Sequence, residues 1–287
     1  MKTLKEYIQE ARDEGYALGH FNFSTIGIFN GIISAARKTG KPVILGLSEG
    51  EESFVGLTTA VAMVRNMREK EGIPVFLNAD HHYSFEKVKA AIDAGFDMVI
   101  VDGAKLPYDE NVALTKQCVE YAKEIMEKEG REVLVEGELG YIGSSSKNLE
   151  EIPEGITMTD PEEAKSYSSD TGIHILAPAI GNIHGMVKGG NPRIDVQRVK
   201  DIKEATGLPL VLHGGSGITD EDFVEAIKAG VSVVHINTEI RNAYKNALKL
   251  SLQDDPEEIA PYKILKPAVD AVSHLIEERI NLFSVGK

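Results

Sequence analysis

The chain has no tryptophan and a single cysteine, and no apolar run approaches the roughly 20 residues needed to span a bilayer. The lone Cys118 excludes an intrachain disulfide and fits a reducing compartment. Its surroundings predict a helix interior, where a small buried thiol packs as an apolar group. Positive charge is also scarce: 31 Lys and Arg face 45 Asp and Glu, a formal net charge of −14. That excess argues against nucleic acid or an anionic membrane surface as the main partner. It does not exclude a small phosphorylated molecule, which needs only a local positive site of backbone N–H groups, a metal ion and a few lysines. The opening Met1-Lys2-Thr3-Leu4-Lys5-Glu6 carries no signal-peptide core, so the expected location is the cytoplasm. No internal repeat or low-complexity tract is visible.

What is present is an alternation. Short β-rich runs at residues 16–22, 42–48, 75–80, 97–103, 132–139, 175–181, 210–215 and 231–237 are eight in number. Helical patterns at 26–39, 57–71, 84–94, 109–129, 195–206, 220–229 and 239–252 lie among them. Thr219-Asp220-Glu221-Asp222 reads as a capped, acidic helix start, and Ala94-Gly95, Thr206-Gly207 and Ala229-Gly230 read as helix ends. The 287 residues suit one α/β domain, 1–287: a (β/α)₈ TIM barrel with a C-terminal helical extension at about 256–283. An open doubly wound sheet is the alternative architecture. Residues 140–171 form a long insertion with Ser144-Ser145-Ser146, Pro153, Gly155 and a short helix predicted from Pro161. Long loops in compact domains often act as lids.

In such a barrel the functional site forms at the C-terminal ends of the strands. Of eight histidines, six (His20, His81, His82, His184, His213, His235) fall near or just past a predicted strand end. Any one alone reads as an ordinary hydrogen-bonded histidine. His81, His184 and His213 together read as three ligands of a catalytic zinc-type ion. Asp80 stands beside His81, although strict alternation would send the two to opposite faces. His82 is expected to support the loop. His213-Gly214-Gly215-Ser216-Gly217 and His184-Gly185-Met186-Val187-Lys188 place glycines where backbone N–H groups can approach an anion, with Lys188 as an added charge. Glu136 and Glu138 end one strand on a common face, and Asp102 ends another.

These motifs, in this order, resemble the class II fructose-bisphosphate and tagatose-bisphosphate aldolase family over nearly the whole chain. The segment from Ala11 to Asn22 is similar to that family's first strand, and Ser48-Glu49-Gly50 to the end of its second. The resemblance implies a lyase that reversibly cleaves a ketose 1,6-bisphosphate, with fructose the expected sugar and tagatose the alternative. The products would be dihydroxyacetone phosphate and glyceraldehyde 3-phosphate, in glycolysis and gluconeogenesis. It implies a catalytic Zn²⁺ on His81, His184 and His213, a possible second divalent ion on Asp102 and Glu138, and a monovalent cation (Na⁺ or K⁺). Asp80 falls on the family's proton donor. Gly185, Lys188, Gly214, Gly215 and Ser216 fall on the dihydroxyacetone phosphate site, and Ser48 and Asn22 on the aldehyde half. A homodimer or homotetramer is expected.

The sequence departs from the family in three places. On the last strand, Val233-Val234-His235-Ile236-Asn237-Thr238 puts His235 where an asparagine touches the ketone; Asn237 and Thr238 keep substrate-binding positions. The loop after Gly143 has serines in place of an acidic pair, leaving Glu150, Glu151 and Glu154 as candidate bases. Lys263 or Lys266 stands near the place of an arginine for the distal phosphate. A Schiff-base aldolase lacks its strand-end lysine here, and a metal hydrolase lacks its paired histidines on the first strand. A non-catalytic sugar-phosphate-binding barrel is the alternative of another class.

Overall fold

The computed structural model describes residues 1–144 and 146–285, so Ser145 of the serine run lies outside the described residues. In chain order the elements are α1 (Leu4–Glu14), β1 (Leu18–Asn22), α2 (Ile26–Thr39), β2 (Val43–Ser48), α3 (Glu49–Val55), α4 (Leu57–Glu71) and β3 (Val75–His82). There follow α5 (Phe85–Ala94), β4 (Met98–Val101), α6 (Tyr108–Glu129), β5 (Leu134–Leu139), β6 (Asn148–Leu149), α7 (Pro161–Thr171), β7 (Ile175–Pro178) and β8 (Met186–Val187). The chain ends with α8 (Val196–Thr206), β9 (Leu210–Leu212), α9 (Asp220–Ala229), β10 (Val231–Ile236), α10 (Thr238–Asp254) and α11 (Pro261–Phe283).

Eight parallel strands close in the order β1-β10-β9-β7-β5-β4-β3-β2. Closure leaves no free edge, so the open-sheet alternative is excluded. The strands turn alternate residues inward, and this sorts the lumen into layers. At the N-terminal end lie Leu18, Ile44, Phe76, Met98, Leu134, Ile175, Val211 and Val233. Two residues further along each of four strands, the same face carries His20, Gly46, Asn78 and His235, with His20 and His235 in register. The lumen thus changes from apolar to polar toward the C-terminal end.

Helix α1 was not foreseen, and Ala11 to Glu14, read as strand-like by resemblance, belong to it. A capping box of Thr3 and Glu6 starts it, and Gly15 in the left-handed conformation ends it. Its Leu4, Ile8 and Ala11 plug the apolar end of the barrel. At the far end of the chain, α11 lays Ala268, Val272, Ile276 and Ile280 onto the fold, packing against α2 and α10. Cys118 is buried inside α6, and burial pushes its thiol pKa up to about 12. The insertion is tied down by a two-stranded parallel pair, β6 with β8.

Gly46 makes room for the polar layer. A Cβ there would lie 2.1 Å from Cε1 of His20. Gly46→Ala is therefore expected to cost about 1–3 kcal/mol of stability, as overpacking does. Urea denaturation checks this, and a variant as stable as wild type would show that the His20 ring yields freely.

Candidate active site and metal centre

The site begins with an irregularity at the end of β3. His81 has φ +49°, a left-handed backbone uncommon for any residue with a side chain. The β3–β4 register shifts between Ala79 and His82 at the same place. Alternation is broken there, so Asp80 and His81 both face the cavity. His82 turns into the wall instead, its Nε2 2.7 Å from a Glu52 carboxylate oxygen. Such strain costs on the order of 1–3 kcal/mol and persists where the surroundings over-determine it, often at functional sites.

The far-apart trio converges. Single ligand atoms of His81, His184 and His213 lie within 4.8 Å of one another. Hydrogen bonds set the ring roles. His184 Nδ1 is 2.7 Å from the Gly143 carbonyl, which can only accept, so Nδ1 carries the proton and Nε2 keeps its lone pair. His213 Nε2 is 2.6 Å from Glu136 Oε1, and His81 Nδ1 is 2.9 Å from Asp102 Oδ2. A carboxylate behind a ring nitrogen is the usual outer support of a metal-binding imidazole.

His213 Nδ1, Glu138 Oε2 and Asp80 Oδ1 are buried with no hydrogen-bond partner. Each such group costs about 1–3 kcal/mol when left unsatisfied. One ligand atom from each of three imidazoles, gathered within 4.8 Å, fits a divalent ion. His81, Asp102 and Glu138 form a second, overlapping set, with Glu138 Oε2 3.2 Å from His81 Nδ1.

Electrostatics separate the roles. Burial by itself raises the Asp80 carboxyl, but the charge on His81, with His235 and His20 beside it, reverses this and holds the pKa well below the usual carboxylate range. Asn22 Nδ2 donates to Asp80 Oδ2 at 2.7 Å. Burial, then the charges of His81 and His213, push His184 down to about 3, leaving it neutral. Burial acts against the charge on His81 too, yet Asp80 and Glu138 raise its pKa well above the ordinary histidine value.

The cavity has two lobes that meet at Asp80, His81, Ser146, His184 and Asn237. The inner lobe is lined in addition by Asn22, Gly185, Gly214, Ser216, His235 and Thr238. The N-terminus of the 17-residue α10 opens onto it, a favourable end for an anion. The outer lobe adds Ser48, Tyr83, Asp102, Lys147 and Arg241. Gly214 is required by its surroundings: φ is +59° and a Cβ would lie 2.1 Å from the Ile183 carbonyl oxygen. His235, in the family's asparagine position, stacks between His20 (ring centroids 3.5 Å apart) and His213 (4.3 Å).

Not every expected residue arrives. Lys188 points away, with its side chain 77% exposed and its ammonium 3.4 Å from Glu150. It follows the two-residue β8 and lines neither lobe of the cavity. The Gly215 N–H donates to the His235 carbonyl at 3.0 Å and is withheld from a ligand. Glu150, Glu151 and Glu154 are exposed, and the insertion offers Ser146 to the cavity in their stead. Lys263 and Lys266 pair with Glu258 and Asp270 on their own turn or helix.

Sequence reasoning missed Arg241, Lys147, Glu51 and Asn191. Asn191 ties the two glycine-rich segments, donating to the carbonyls of Gly185 (3.0 Å) and Ser216 (2.9 Å). An asparagine soon after Gly189-Gly190 was the available signal. For the other three the strand-end rule gave none.

Comparison with known proteins agrees with this geometry. A family model described as fructose-bisphosphate aldolase class-II matches residues 2–287. A fructose-bisphosphate aldolase of Geobacillus stearothermophilus is 40% identical over 99% of this chain and 98% of that protein. One from Staphylococcus aureus strain Mu50 is 39% identical over 99% and 97%. Among solved structures, the YdjI aldolase of Escherichia coli K12 superposes with a TM-score of 0.81 at 28% identity, covering 100% and 99% of the two chains. A fructose-bisphosphate aldolase from Campylobacter jejuni gives 0.79 at 21% identity over 98% and 94%, a likeness of fold alone.

Proposed function

The chain belongs to the class-II fructose-bisphosphate aldolase family, and from that premise we propose that it cleaves fructose 1,6-bisphosphate reversibly, with Asp80 as the proton-transferring residue and His81, His184 and His213 as ligands of a zinc ion. The observation that carries this reading is the placing of a buried carboxylate at the junction of two lobes, against three converging imidazoles.

The inner lobe takes the dihydroxyacetone phosphate half, its phosphate against Gly185, Gly214, Ser216 and the start of α10. The outer lobe takes the aldehyde half, with Ser48, Lys147 and Arg241 toward the distal phosphate. A bound divalent ion supplies Lewis-acid polarisation of the ketone oxygen, worth several kcal/mol to the transition state. Asp80 accepts the C4 hydroxyl proton as the C3–C4 bond breaks, and the electron pair passes into the ketone half. In synthesis it returns the proton to the aldehyde oxygen. Asn22 keeps one carboxylate oxygen in place, and Asp80 Oδ1, left without a partner, is the atom available to the proton.

The same reading takes the chain as one domain acting in glycolysis in the cytoplasm, for which the buried unpaired thiol of Cys118 is support. A homodimer or homotetramer, a second divalent ion on Asp102 and Glu138, and a monovalent cation complete it. A coupled assay of triose phosphate release tests the reading. The metal-loaded protein should cleave fructose 1,6-bisphosphate with a higher kcat/KM than tagatose 1,6-bisphosphate, and borohydride should trap no adduct. No cleavage of either sugar would overturn it.

A further inference from the structure

Glu51 sits in the first turn of α3, only 7% exposed, behind Ser48 and Arg241 of the outer lobe. Its bond from the Ser48 N–H (2.9 Å) is that of a capping residue. Capping does not account for the other three. The Ser48 hydroxyl is 2.9 Å from Glu51 Oε2, and Asn22 Nδ2 donates to the same oxygen at 2.8 Å. Arg241 Nη2 donates to Oε1 at 2.6 Å, reaching across from α10. Glu51 has gathered the Ser48 hydroxyl and the Arg241 guanidinium, two donors that an anion in the outer lobe would use. An internal carboxylate thus stands where a second phosphate would seek its partners.

Building on the function proposed above, we propose that Glu51 is a specificity-determining residue that weakens the hold on a phosphate at the aldehyde end of the substrate. A dianionic phosphate must take Arg241 from Glu51 and then lie near a buried like charge, where such repulsion is less screened than in bulk water. A hydroxyl at the same end meets neither cost, because it can donate to the carboxylate. The protein should therefore handle ketose 1-phosphates, and unphosphorylated aldehydes in the reverse direction, nearly as well as their doubly phosphorylated counterparts.

The test compares cleavage of fructose 1-phosphate and fructose 1,6-bisphosphate by the metal-loaded protein. The readout is the KM of the monophosphate divided by that of the bisphosphate. In the wild type this ratio should lie within about threefold of unity, and Glu51→Gln should raise it about tenfold, the size of effect expected from 1.4 kcal/mol of differential binding. Glutamine keeps an acceptor for the Ser48 N–H and removes the charge. A wild-type ratio above about 100, a gap of some 2.7 kcal/mol, would overturn the proposal without any variant. So would a Glu51→Gln protein, folded by circular dichroism, whose ratio equals that of the wild type. Failure to cleave either sugar would overturn the aldolase reading itself, and this proposal with it.

Discussion

Asp80→Ala is expected to lower kcat for aldol cleavage by about 10³-fold, within the range of 10²–10⁴ that a positioned acid–base group contributes. Bound metal should remain at the wild-type content. Asp80 is 4% exposed and pinned by Asn22, and its second oxygen lies 3.6 Å from both His81 Nε2 and His235 Nδ1. Those neighbours keep it ionised, so it is ready to accept a proton, and the three imidazoles do not depend on it for their orientation. Asp80→Asn keeps the size and loses the basicity, and it should be nearly as slow. Steady-state kinetics with elemental analysis decide the matter. Loss of metal in Asp80→Ala, or wild-type turnover in Asp80→Asn, would remove the assignment.

Stripping the protein with a chelator should abolish cleavage, a loss of at least about 10³-fold given the several kcal/mol that an electrophilic cation contributes. Added Zn²⁺ should restore it. What is left behind is His213 Nδ1, buried and without a hydrogen-bond partner. A cation that satisfies it also stabilises the fold. At a free concentration of 1,000 times Kd the gain is about 4 kcal/mol, visible as a rise in Tm. His184→Ala should lose both the activity and the Zn²⁺-dependent rise in Tm. His82→Ala, which removes a ring facing Glu52 and not the cavity, should keep the rise. Full turnover in excess chelator would end the metal assignment.

Local chemistry made much of this readable beforehand. Residues 26–39, 57–71 and 220–229 were expected as helices and form α2, α4 and α9 with those bounds. Their ends are marked by Thr25, Gly40, Gly72 and Thr219, residues whose capping preference is a property of the residue itself. The eight expected strands are all present; seven are shorter than expected, and β3 runs two residues further, to His82. Arg241 was invisible for the opposite reason. On α10 it reads as one more polar residue, and it becomes part of the site only because barrel closure brings it to Glu51, 190 positions earlier in the chain. The outward course of Lys188 was not legible, because the pairing of β6 with β8 involves only two residues on each side.

The sequence by itself determined the barrel, the family and the identity of the ion-binding imidazoles as candidates, since periodicity, caps and motif order are local and survive without coordinates. Only the tertiary structure decided which way each polar group faces. A left-handed residue at His81 brings two adjacent side chains to one cavity, a glycine at 46 admits the His20 ring, and Glu51 takes Ser48 and Arg241 of the outer lobe as partners. Direction depends on backbone angles and on partners from distant strands, and neither is set by the residue's own neighbours in the chain.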